Sequence, residues 1–166
     1  SIHVMNKEHK FITSAIVGGT LPTALGVALG IKLKQGQMEK ALLDAVKDIK
    51  GEDWEIDKDS IKVNPVNQEH VFCFIGDMTS ETGAFHEVHK YALNHNLPIT
   101  FIIEDNELST DTPTQEVWGQ VNCQWADCGW SYPNAEDKII YYKYTRSFPH
   151  YGTGVFVKKL WEEKDV

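Results

Sequence analysis

"VFCFIGDMTSETGAFHEVHKYALNHNLPITFIIEDN", residues 71–106, decides the fold of this 166-residue chain. Val71-Phe72-Cys73-Phe74-Ile75 and Ile99-Thr100-Phe101-Ile102-Ile103 are apolar runs, the pattern of parallel strands covered on both faces. Between them, 81–94 reads as a helix with Phe85, Val88, Tyr91 and Ala92 on one face, stopped by Asn96-Leu97-Pro98. A right-handed crossover makes such strands parallel. Asp77 and Asn106 then stand at the same, carboxyl-terminal edge of the sheet, where open α/β sheets bind ligands. The fold class that follows is α/β, a parallel sheet with helices on both faces.

Upstream, Ser14-Ala15-Ile16-Val17-Gly18-Gly19-Thr20 reads as a glycine-containing loop feeding a helix. That helix carries Leu21, Leu25, Ala28, Leu29 and Ile31, interspersed with the small residues Ala24, Gly26 and Gly30. Small residues let a second backbone or a ligand approach. Residues 35–70 are richly charged and read as an excursion with one amphipathic helix of its own, through Met38, Ala41, Leu42, Ala45, Val46 and Ile49. Downstream, a strand is expected at 139–144, a loop at 146–154 and a last edge strand at 155–160. Length and the absence of repeats predict a single domain over 1–166, with the excursion at about 35–70.

Hydrophobic content of 42% marks a folded chain, and a net charge of −8 argues against nucleic acid or an anionic membrane as the partner. No apolar run approaches the ~20 residues of a membrane span. Cys73, Cys123 and Cys128 form no CxxC and have no second ligand pair at zinc-like spacing, so a reducing, cytoplasmic compartment is expected.

A carboxylate and an amide oxygen converging at a sheet edge suit a hard cation such as Mg2+, which takes one or two protein ligands and completes its shell with phosphate oxygens and water. Gly76 would let a ligand pass close to the backbone, and a helix entered after Met78-Thr79-Ser80 would aim its amides at a phosphate. An acidic protein could hold a diphosphate in this way. The ordinary roles compete: Asp after a strand often caps the next helix, and Asn in a loop is often a turn residue.

Gly76-Asp77, with Asn106 29 positions beyond Asp77, resembles the thiamine diphosphate signature of Gly-Asp-Gly, a β-α-β span and Asn. "ETGAFHEVHKYALNHNLPITFIIEDN" and the amino-terminal "SIHVMNKEHKFITSAIVGGTLPTALGVALG" are similar to the alpha subunit of the decarboxylating component of 2-oxo acid dehydrogenase complexes; transketolases share the metal motif. The resemblance implies the thiamine diphosphate-binding fold. It implies Mg2+ ligation by Asp77, Asn106 and the Leu108 carbonyl, with Gly76 as the turn glycine. Met78 occupies the place of the third signature glycine. Ala15, Ile16 and Val17 match the loop whose backbone touches the aminopyrimidine; for Ile16 and Val17 plain core packing is an equal alternative.

The chain departs from the family at Met78, in the long excursion and in a reduced carboxyl-terminal region. There "YKYTRSFPHYGTG" matches the family's histidine-bearing loop loosely, with Arg146 and His150 as candidates and His150 as the catalytic one. His86 and His89 are expected to be structural. The activating glutamate of the family belongs to a separate pyrimidine-binding domain, and no second α/β unit here supplies it. The resemblance therefore implies the diphosphate-binding half of a thiamine diphosphate- and Mg2+-dependent enzyme acting on a 2-oxo acid. Such a half would be oligomeric and inactive without a beta subunit-like partner chain. A split transketolase-like transferase acting on a sugar, or a non-catalytic thiamine diphosphate-binding module, are the alternatives.

Overall fold

In the computed structural model, residues 3–50, 69–119, 122–126 and 138–146 are described. Their elements run β1 (Met5–Asn6), β2 (Phe11–Ile12), α1 (Leu21–Lys50), β3 (Val71–Gly76), α2 (Asp77–Ser80), α3 (Gly83–Asn94), β4 (Ile99–Asp105), β5 (Leu108–Ser109), β6 (Thr112–Pro113), α4 (Thr114–Trp118) and β7 (Ile139–Lys143). The expected β-α-β unit forms: β3 and β4 are parallel, with Val71 opposite Ile99 and Ile75 opposite Ile103. β7 adds to β4, also parallel, giving a three-stranded sheet in the order β3-β4-β7. Antiparallel β1–β2 and β5–β6 are two-residue ribbons that period-2 patterning is too short to signal.

Register puts Cys73, Phe101 and Ile139 in one row and Ile75, Ile103 and Tyr141 in the next, all buried on the same face. Leu21 and Ala28 of α1 and Phe85, Val88 and Ala92 of α3 complete that core. Phe85 meets Phe101 edge-on at 5.2 Å and stacks on His89 at 5.6 Å, with Trp125 closing the cluster. The other face carries Phe72 and Phe74, 60% and 58% exposed, beside half-buried Ile102, Ile140 and Tyr142. The helices expected on a second face therefore do not lie among the described residues. Among the described residues both long helices, α1 and α3, pack together on the core face.

The structure corrects two boundaries and one buried position. The helix expected within 35–70 is not separate: α1 runs unbroken from Leu21 to Lys50, because Gly30 and Gly36 lower helix propensity without stopping a helix. Lys34 pairs with Glu69, just before β3, at 3.1 Å, so residues 35–50 add roughly 24 Å of helix past the sheet. Met38, Leu42 and Ile49 are exposed there. The next helix starts at Gly83 rather than 81, because the Thr82 hydroxyl accepts from Phe85 N and caps it. Tyr91, expected on the buried face, is exposed against His95.

The stop at Asn96-Leu97-Pro98 has the geometry its residues favour. Asn96 takes φ +43°, Asn96 N donates to Leu93 O, and Leu97 N donates to Ala92 O, a Schellman closure with Leu97 buried beneath it. The strand expected at 155–160, and Cys128 and His150, lie outside the described residues.

Candidate functional site at the carboxyl edge of the sheet

The Val71–Gly76 strand delivers Asp77 to the sheet edge, where the chain turns at once into the four-residue helix α2. Asp77 is 1% exposed, and its side chain does not cap that helix. Instead its Oδ2 accepts from the Thr114 hydroxyl, 37 residues on, while Oδ1 is buried with no hydrogen-bond partner. Thr114 is held for this role by its own N–H, which donates to Glu107 O at 2.9 Å. Burial pushes the Asp77 carboxyl above its ordinary value. The Thr114 hydrogen bond opposes that push, the nearby Asp105 carboxylate adds to it, and the backbone N–H groups of Asp77 and Met78 weakly oppose it.

Asp105, the last residue of β4, is the second buried acid at this edge. Its Oδ2 accepts from Tyr141 OH at 2.5 Å and its Oδ1 from Glu107 N at 2.9 Å. Asp77, Asp105, Glu107, Thr114 and Asn122 share the lining of one small pocket with Gln115 and Cys123. Sequence reasoning missed Asp105, Thr114 and Tyr141. Strand alternation could have found Asp105, since it continues the buried face of Phe101 and Ile103.

Asn106 and Leu108, the other expected ligands, line an adjoining open cleft of about 380 Å³ with Glu107, Lys143, Tyr144, Thr145 and Arg146. Asn106 Oδ1 accepts from Leu108 N at 3.0 Å and its amide donates to Tyr144 OH at 3.2 Å. This is the turn role that the sequence left open, so in this arrangement the amide oxygen serves its own loop. Glu107, in the left-handed region at φ +63°, separates the two cavities and pairs with Lys143 at 2.6 Å. Arg146 bonds the Thr110 carbonyl and Asp111.

The remaining candidates are placed as follows. Ala15, Ile16 and Val17 are exposed, Ile16 by 67% and Val17 by 66%, so core packing is excluded for the last two. Their loop is fixed by Gly19, where a Cβ would come within 2.9 Å of Ile16 Cβ. Gly76 is exposed, and a Cβ there would meet nothing within 4 Å. Its freedom serves no contact among the described residues. Met78 is half-buried, and its sulfur accepts from Trp118 Nε1 at 3.0 Å. The amides expected to seat a phosphate are only partly available: α2 is one turn long, and the Thr82 hydroxyl already accepts from Phe85 N, the third amide of α3.

His86 faces Gln124 at 2.9 Å, and His89 is buried among Phe85, Phe101 and Trp125, structural positions as expected. Cys73 and Cys123 are buried free thiols.

Among the described residues no group of three or more His, Cys, Asp or Glu side chains is arranged to hold a metal ion, and no helix is long and apolar enough to cross a membrane. A partnerless buried carboxylate oxygen nevertheless fits a cation, which needs only one or two protein carboxylates when a phosphate completes its shell. No protein-family model matches the sequence, and comparison with curated proteins finds no match.

Proposed function

We propose that the chain binds thiamine diphosphate through a divalent cation such as Mg2+, as the diphosphate-binding half of an enzyme acting on a 2-oxo acid. The observation that carries this reading is the orphaned, buried Oδ1 of Asp77 at the sheet edge, one loop away from Asn106 and Leu108. Such an oxygen costs folding free energy, about 1–3 kcal/mol, unless something occupies it. A cation cancels that cost and screens Asp77 from a diphosphate that it would otherwise repel.

When bound, thiamine diphosphate supplies a nucleophilic carbon that adds to a carbonyl and takes up the electrons released on decarboxylation. The chain's own residues would bind and orient it. Asp77 holds the cation, and Lys143 and Arg146, paired with Glu107 and Asp111, line the cleft beside Asn106 and Leu108. The exposed loop of Ala15, Ile16 and Val17 offers its backbone to the aminopyrimidine. A beta subunit-like partner chain supplies the activating glutamate.

Calorimetric titration with thiamine diphosphate, with and without Mg2+, tests the reading. Binding is expected only with the metal, and equal affinity in excess chelator overturns it. Proton exchange at the thiazolium carbon, followed by NMR in heavy water, is expected to run no faster on the chain alone than in buffer with Mg2+. Faster exchange would show that this chain activates the cofactor without a partner.

A further inference from the structure

Two of the acids lining the small inner pocket, Asp77 and Asp105, are held by hydrogen bonds. Thr114 fixes Oδ2 of Asp77, while Tyr141 OH and Glu107 N fix the two oxygens of Asp105. Donors that orient a carboxylate in this way are the usual support of a metal ligand. A carboxylate has about four acceptor sites, so each acid keeps capacity to spare. Asp77 Oδ1 has used none of its own. Two carboxylates 1% and 3% exposed, in one pocket about the size of a water molecule, repel each other unless a positive charge joins them. Asn106 lines the other cavity, with its amide oxygen accepting from Leu108 N and its amide nitrogen donating to Tyr144.

We propose that the divalent cation is held between Asp77 and Asp105, with Asn106 shaping the loop rather than ligating. Asp105 is thereby assigned as a metal ligand. The inference rests on the proposed function only for the diphosphate that completes the coordination shell; the two acids bind a cation without it. Oxygen donors of this kind select Mg2+ or Mn2+ over softer metals.

The test is Mn2+ binding to the whole chain without thiamine diphosphate, read from the free-ion EPR signal. One Mn2+ is expected per wild-type chain. Asp105→Asn is expected to lose at least tenfold in affinity. Glu116→Gln, which removes an exposed carboxylate of α4 outside the pocket lining, should stay within threefold, as should Asn106→Ala. Near-ultraviolet circular dichroism checks that Asp105→Asn is folded. Where it is not, the Asn106 variants decide alone: a tenfold loss in Asn106→Ala, or a tenfold gain in Asn106→Asp, overturns the assignment. Asp105→Asn within threefold of wild type also overturns it. Failure of wild type to bind Mn2+ overturns it too. The thiamine diphosphate reading is then judged separately, by titrating cofactor and metal together.

Discussion

Thr114 donates its hydroxyl hydrogen to Oδ2 of Asp77, joining the start of α4 to the start of α2 across 37 residues and leaving Oδ1 alone. The contact does two things. It orients the carboxylate, and it partly offsets the burial that raises its pKa. Thr114→Val keeps the shape and removes the donor, so both oxygens are left without partners. We expect a loss of about 2 kcal/mol in urea unfolding at pH 7, in the range for hydrogen bonds to charged groups. Thr114→Ser should retain most of it. An unchanged midpoint in Thr114→Val would mean that the bond does not contribute.

Asp77→Asn separates the cost of the bare site from its use. An acid whose folded pKa is raised contributes stability below its unfolded pKa and loses it as pH rises through the folded value. Above its unfolded pKa Asp77 is therefore a liability in the metal-free fold, and Asn relieves it. Asp77→Asn should unfold at higher urea than wild type without metal, by about 1 kcal/mol. With Mg2+ and thiamine diphosphate at 100 times the dissociation constant, wild type should gain about 2.7 kcal/mol and the variant nothing. A variant less stable than wild type without metal would show that Asp77 is a structural anchor.

Two glycines predict opposite outcomes. A Cβ at Gly19 would lie 2.9 Å from Ile16 Cβ and 3.0 Å from the Ile16 carbonyl oxygen, which is backbone and cannot give way cheaply. Gly19→Ala should cost about 1–3 kcal/mol and disturb the exposed loop of Ala15, Ile16 and Val17. At Gly76, with open space and φ −80°, Gly76→Ala should leave stability within about 0.5 kcal/mol of wild type. If the cofactor passes there, that same variant weakens thiamine diphosphate binding. Thermal unfolding and calorimetry read both. A large stability loss in Gly76→Ala would mean that the space beside it is filled in the folded chain.

The β-α-β unit was legible because its signals are local: two apolar runs, a capped amphipathic helix and an Asn-Leu-Pro stop. The place of Asp77 was legible for the same reason, since it directly follows a strand. What stayed hidden depends on contacts distant in sequence. Thr114 reaches back 37 residues and Tyr141 reaches back 36 to Asp105, and neither pairing leaves a mark on periodicity. α1 was read as two pieces because residues 35–50 change from core-like to charged composition. Composition reports what a helix packs against, and this helix simply outruns the sheet. Asn106 carried an ambiguity that sequence cannot resolve, because a ligand and a turn residue use the same side-chain oxygen.

The last prediction concerns alkaline pH. Burial pushes the Cys123 thiol from its ordinary value of 9.0 up to about 11. The hydrogen bond to Glu104, aided by burial, pushes the Tyr142 phenol from 10.0 up to about 12, and burial raises Tyr141 as well. A raised folded pKa means that the unfolded chain releases its proton first. The stability from Cys123 is therefore whole below pH 9 and is lost as pH climbs toward 11. The tyrosine contributions follow from about pH 10 upward. Wild type should lose on the order of 1 kcal/mol through Cys123 between pH 9 and 10. Cys123→Ala starts lower, because a buried side chain is truncated, but its stability should fall less over that interval. Urea midpoints from pH 8 to 10.5 measure both slopes. Parallel slopes would show that the Cys123 thiol ionises as it would in water and that the pocket wall beside Asp77 is open to solvent.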